Sequence, residues 1–202
     1  MLTVIEKFTP YIDIVRQSAI AAGFSTWEPA SAEVGSGKYA GMSFVGAHAT
    51  MNYALMKHLG RVIIPNLMFF RLTLPDTEPG YVHSDREAGQ FSAIVYLSEH
   101  KERFGTAFYR HKDSGLTEMP SFDELRKDPV FFEKLKVDMV HGGEDAWEET
   151  TYVGGAYNRA VVFSSPLFHQ RIPSGGCGSG PEDGRLIFAC HFFTDMSHQE
   201  IT

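Results

Sequence analysis

The chain is predicted to be mainly β with helices packed on the outside, a sandwich or barrel. Three observations carry that expectation. Short apolar, β-favouring runs recur from about residue 62 onward, punctuated by turn residues. Helical periodicity is confined to residues 1–60 and to one segment near residues 121–139. Strands at this density, with few helices among them, favour sheets that pack face to face.

The elements follow in order. Thr9-Pro10 supplies a helix start, with a residue suited to the first turn. Ile12, Val15, Ala19 and Ala22 then share one face, and Gly23 ends the segment. The stretch through Ala40-Gly41 is rich in Gly, Ser and Ala and reads as loop or short strand. A second helix is expected from Ala49 to Leu59, closed by Gly60. Neither helix carries a chemical motif, so both are expected to cover a sheet. Residues 62–74 form the first long strand, broken by Pro75, Pro79 and Gly80. Further strands are expected at 92–98 and 105–111, the latter closed by the turn Lys112-Asp113-Ser114-Gly115. Ser121 with Glu124 resembles a capping box that opens a helical insert reaching about Met139. Polar residues 141–149 lead back into strands at 150–153, 159–164 and 186–193. Between the last two, residues 172–184 are rich in Gly, Ser and Pro and read as a flexible loop near the site.

Composition narrows the function. At 202 residues the chain is expected to be one domain with a substantial core. Its 43% hydrophobic and 21% charged residues are ordinary for a soluble globular protein. A net charge of −7, with Lys and Arg scattered, argues against a nucleic-acid partner, which needs a basic face. No apolar run approaches membrane-spanning length and no leader pattern opens the chain, so no membrane partner is expected. The two cysteines, Cys177 and Cys190, lack metal-motif spacing and point to a reducing compartment; a cytoplasmic location is expected.

The stretch from Tyr81 to Leu97 carries the chemistry. It opens with His83-Ser84-Asp85 and ends in an apolar run that reads as a buried strand. One residue separates His83 from Asp85, so both side chains reach one face of an extended segment. An imidazole and a carboxylate are two-thirds of the 2-His-1-carboxylate triad of non-heme Fe(II) oxygenases. A second triplet, His111-Lys112-Asp113, ends a strand inside a turn signal and reads as a hairpin end. The missing ligand must come from afar, and His169 after the Ser164-Ser165-Pro166 turn is the candidate. Arg185 opens an apolar strand, and a buried guanidinium needs an anionic partner. A dicarboxylate cosubstrate would meet that need in bidentate fashion. Residue by residue the bland alternatives stand beside these roles. His83 could lie beside a turn, Asp85 could cap a loop, and His169 or His191 could be satisfied core histidines. Tyr96 could be sheet core with a bonded hydroxyl; Arg71, Tyr109, Arg110 and Trp147 are candidates to line a substrate pocket, with packing the more common role for each.

Taken together, His-x-Asp, the Tyr-Leu-Ser strand, the Gly-Thr-Ala-Phe strand, the Asn-Arg-Ala-Val-Val-Phe strand, His169 and Gly-Arg-Leu resemble the Fe(II)/2-oxoglutarate-dependent dioxygenases. The likeness is greatest to their prolyl-hydroxylase-like branch and covers residues 62–193, leaving the helical residues 1–60 as support. It implies a double-stranded β-helix, a cupin-like jelly roll, in a single oxygenase domain spanning 1–202. His83, Asp85 and His169 would be catalytic iron ligands, and Arg185 and Tyr96 would bind the distal carboxylate of 2-oxoglutarate. The implied reaction uses O2, with ascorbate as reductant, to hydroxylate an aliphatic C–H of a small molecule, amino acid or peptide, yielding succinate and CO2. Two departures accompany it. Phe70-Arg71-Leu72-Thr73-Leu74 lacks the tyrosine that relatives often carry there, and the loop from His169 to Arg185 is long. The alternative is a non-catalytic or 2-oxoglutarate-independent cupin-like protein that binds a metal or ligand.

Overall fold

A computed structural model describes residues 1–27, 37–40, 45–75, 80–99 and 104–195. Its elements are β1 (Leu2–Ile5), α1 (Ile12–Ala22), β2 (Ser25–Trp27), β3 (Gly37–Ala40), α2 (Val45–Leu59), β4 (Ile63–Thr73), β5 (Phe91–Tyr96) and β6 (Gly105–His111). They continue with α3 (Phe122–Lys127), α4 (Pro129–His141), α5 (Gly143–Ala146), β7 (Trp147–Gly154), β8 (Ala160–Ser164), β9 (His169–Ile172) and β10 (Arg185–Thr194). The strands form a seven-stranded sheet, β1-β8-β5-β10-β4-β3-β2, and a three-stranded sheet, β7-β6-β9. Every recorded pairing is antiparallel. The expected mainly-β class with a few helices holds.

Strand alternation divides the interior into two layers. In β10, Leu186, Phe188, Cys190 and Phe192 point to one face, where they pack with Phe70, Leu72, Val95 and Val162 against Val15, Ala19, Met51 and Leu55 of the two long N-terminal helices. The opposite parity, Ile187 and Ala189, joins Phe69, Ile94, Tyr96, Val161 and Phe163 of the large sheet and Phe104, Phe108 and Val153 near the small one. Near-continuous apolar strands follow from this, because the central strands are buried on both faces. Arg185 and His191 share the parity of Ile187 and Ala189, so a period of two puts both on the inner face.

Several boundaries differ from the sequence reading. The chain before residue 60 supplies three strands as well as helices, and β1 forms an edge of the large sheet through β8. At four residues, with alternate side chains exposed, β1 is too short to carry a readable period. Helix α1 buries Ile12, Val15 and Ala19 as expected, whereas Ala22 is exposed. It begins after Tyr11, two residues beyond the expected Thr9-Pro10 start, and Thr9 Oγ1 accepts from the Tyr11 amide. The capping box forms: Ser121 and Glu124 bond reciprocally, and the insert runs on to Ala146. His169 lies in a strand that its short, polar sequence did not signal. Among the described residues no helix is long and apolar enough to cross a membrane.

Candidate metal centre

His83 lies outside the named strands but bonds reciprocally to the start of β9. The His83 amide donates to the His169 carbonyl at 3.0 Å, and the His169 amide donates to the His83 carbonyl at 2.9 Å. This isolated antiparallel bridge sets the two imidazoles side by side, with ring centroids 4.4 Å apart. Asp85, two residues on, is anchored by its amide to the Ser165 carbonyl at 2.9 Å. One ligating atom from each of His83, Asp85 and His169 lies within 4.8 Å of the others. His83 Nε2 is 3.7 Å from Asp85 Oδ1, and His169 Nε2 is 3.3 Å from Asp85 Oδ2.

Local bonds fix how the rings present themselves. His83 Nδ1 lies 2.9 Å from the Tyr81 carbonyl and His169 Nδ1 lies 2.9 Å from the Leu167 carbonyl. A carbonyl only accepts, so each Nδ1 carries its proton and each Nε2 turns toward Asp85. That is the tautomer a histidine adopts when Nε2 ligates a metal and Nδ1–H bonds the backbone.

The electrostatics fit a cation. Burial works to raise the Asp85 carboxyl, but His169, by charge and hydrogen bond, with His191 and His83 behind it, holds it far below the usual carboxylate range. His83 is pushed down, by burial first and then by the charge of His169. Burial also opposes protonation of His169, yet the charge and hydrogen bond of Asp85 raise it above 6.5. On acidification the cluster's first imidazole to take a proton is therefore His169, at Nε2, ahead of His83. A divalent cation must displace that proton. Affinity for Co(II) is accordingly expected to fall as pH drops through the raised His169 range, approaching about tenfold per pH unit as one proton competes for each metal. Titrations from pH 5.5 to 8 check this, and a flat profile would count against ligation through His169.

Arg185 opens the other end of the inner face. It is 2% exposed, its Nη2 donates to the Gly105 carbonyl at 3.3 Å, and its Nε has no hydrogen-bond partner among the described residues. Burial lowers it to about 10, and the charges acting on it come from Tyr96, Arg71 and Cys177 rather than from an Asp or Glu. It pairs in register with Thr73, whose buried Oγ1 also lacks a partner among the described residues. Directly opposed residues of an antiparallel pair point to the same side. Tyr96, fully buried, bonds Thr106 Oγ1 at 2.8 Å, and burial raises its phenol. The long loop before Arg185 is built around Asp183, whose Oδ1 accepts from the Ser179 and Gly180 amides, each at 2.9 Å. Gly176 and Gly178 there have φ of 75°, where side chains are disfavoured, and a Cβ on Gly178 would lie 2.1 Å from the Asp183 carbonyl oxygen. This compact turn brings Arg185 into β10 with an unbroken register to Thr73.

The structure thus brings His83, Asp85 and His169 together and sets Tyr96 close enough to Arg185 for each to feel the other's charge. His111 and Asp113 go elsewhere, as expected: His111 is buried against Asp138 at 3.0 Å, and Asp113 pairs with Lys134. Ser92 went unread in the sequence, and His191 and Arg71 read there as core or packing residues. Ser92 Oγ lies 2.9 Å from Asp85 Oδ2, 3.0 Å from Ser165 Oγ and 3.0 Å from His191 Nδ1. His191, expected in the core, is 9% exposed and stands beside the acid ligand. Its signal was parity: it lies on the same side of its strand as Arg185. Arg71 shares the inner face through its register with Ile187, and its charge is felt at both His83 and Arg185.

Solved structures share this fold. SnoN from nogalamycin biosynthesis, a non-heme alpha ketoglutarate dependent epimerase, is 15% identical over 95% of this chain and 75% of its own, with a TM-score of 0.54. HygX from Streptomyces hygroscopicus, solved with nickel and 2-oxoglutarate bound, is 14% identical over 95% and 82%, with a TM-score of 0.56. AviO1 from Streptomyces viridochromogenes Tue57 is 12% identical over 96% and 89%, with a TM-score of 0.54. No curated protein matches the chain. Fold and site together define an antiparallel β protein with the architecture of non-heme enzymes and a two-imidazole, one-carboxylate cluster between its sheets. The chain belongs to the family of unknown function DUF6445, whose model matches residues 75–192, a span that includes all five expected site residues and His191.

Proposed function

We propose that this protein is an Fe(II)- and 2-oxoglutarate-dependent oxygenase, a single-domain double-stranded β-helix of the prolyl-hydroxylase-like branch. It hydroxylates an aliphatic C–H of a small molecule, amino acid or peptide in the cytoplasm, and its cosubstrate leaves as succinate and CO2. One observation carries the reading: a donor set suited to a divalent metal shares an inner face with a buried guanidinium that no carboxylate of the described residues neutralises. Supporting it, HygX was solved with iron and, separately, with nickel and 2-oxoglutarate, and SnoN with Fe3+ and alpha ketoglutarate.

The residues fit both groups. His83 and His169 offer Nε2, Asp85 offers a carboxylate oxygen, and three protein ligands leave positions for a chelating cosubstrate. Arg185 Nε and Thr73 Oγ1 are the donors that a distal carboxylate would satisfy, with Tyr96 alongside. When bound, iron with 2-oxoglutarate and O2 supplies the oxidation of a C–H bond. The chain's part is to hold and orient. Arg185 fixes one end of the cosubstrate, while Phe69, Phe163, Ile187 and Ala189 line the inner face and exclude water. SnoN and SnoK are named for epimerisation and carbocyclisation, so this fold hosts outcomes other than hydroxylation.

Purified protein with Fe(II), 2-oxoglutarate and ascorbate is expected to form succinate slowly without substrate, and faster with the right one. Metal binding without 2-oxoglutarate binding, read by calorimetry, would instead support a cosubstrate-independent cupin-like protein.

A further inference from the structure

Ser92 sits at the junction of three groups, and counting protons fixes how it is wired. A hydroxyl has one proton and two lone pairs. The Ser92 hydroxyl donates to the Asp85 carboxylate oxygen Oδ2, 2.9 Å away, which places its one proton. Ser165 Oγ and His191 Nδ1, each 3.0 Å from Ser92 Oγ, must then donate into it. Ser92 becomes a fully satisfied hub that is 0% exposed, and His191 is specified as the tautomer with its proton on Nδ1. The backbone braces the same groups. Asp85 N donates to the Ser165 carbonyl, Ser165 N donates to the Gln90 carbonyl, and Ser92 and His191 are cross-strand partners in register.

We propose that His191, acting through Ser92 with Ser165 beside it, is a positioning residue that locks the Asp85 carboxylate as a metal ligand. This rests on the metal-dependent reading above, and it extends that reading to three residues beyond the ligand set. With Oδ2 occupied by the Ser92 hydroxyl, the carboxylate cannot rotate freely, and its remaining lone pairs stay aimed between His83 and His169. Second-layer groups of this kind typically alter metal affinity about 10–100-fold.

The test uses Co(II), whose visible absorption reports coordination as well as affinity. Ser92→Ala is expected to weaken Co(II) binding about 10–100-fold and to change the visible spectrum. At position 191 two amides separate positioning from packing. His191→Asn places an N–H where Nδ1–H stood and is expected to retain near wild-type affinity and spectrum. His191→Gln places its amide where Nε2 stood and is expected to weaken binding as Ser92→Ala does. Thermal unfolding without metal identifies any variant that is merely less stable. Equal Co(II) affinity and spectra for wild type, Ser92→Ala and His191→Gln would overturn the proposal while leaving the metal site intact. Failure of the wild-type protein to bind Co(II) would instead overturn the metal-dependent reading itself.

Discussion

Replacing Asp85 with alanine is expected to lower metal affinity on the order of a thousandfold, the scale of about 3–5 kcal/mol for stripping one partner from a buried charge cluster. The reason lies in who neutralises whom. Asp85 is the carboxylate of the cluster, within 3.7 Å of His83, 3.3 Å of His169 and 3.6 Å of His191. Without it, a divalent ion faces imidazoles alone, and His169 loses the charge that raised it. Asp85→Asn separates charge from shape, because the amide fills the same space and removes only the negative charge. Both variants are expected to bind Co(II) weakly and to form no succinate. Retained affinity in Asp85→Asn would mean that the carboxylate is not a ligand.

Arg185→Ala is expected to raise the KM for 2-oxoglutarate by roughly ten- to over a hundredfold, the loss of one charge-assisted pair at about 1.5–3 kcal/mol. Co(II) affinity should stay unchanged, since the guanidinium lies at the far end of the inner face. A second effect has the opposite sign. A buried charge with no carboxylate partner among the described residues destabilises the fold, and an apolar side chain of similar volume removes that cost. Arg185→Met is therefore expected to unfold at a higher temperature than wild type in the absence of cosubstrate while binding 2-oxoglutarate poorly. If instead cosubstrate affinity survives the loss of Arg185, Arg71 is the guanidinium that takes the carboxylate.

Most of the β architecture was legible because its strands are apolar, bounded by turn residues and long enough to show a pattern. The strand over Gly105–His111 matches its expected bounds, and the two long strands, β4 and β10, differ from theirs by one residue at each end. What escaped was short or polar. His169–Ile172 carries three polar residues in four, so nothing in it signalled a strand. The ligand triplet could be read because His-x-Asp has a period-two logic, whereas its convergence with His169 depends on a backbone bridge that composition does not encode. Ser92 was readable only in hindsight, as a polar residue with the parity of Tyr96 on an otherwise apolar strand.

The bridge between His83 and His169 also couples the centre to the chain as a whole. The two imidazoles belong to segments remote in sequence, stitched together by one pair of amide–carbonyl bonds. An ion held by both would bind the folded chain and not the unfolded one, which has no preformed site, so its binding energy would add to folding. Occupancy of the centre and mechanical closure of the sandwich then become a single equilibrium.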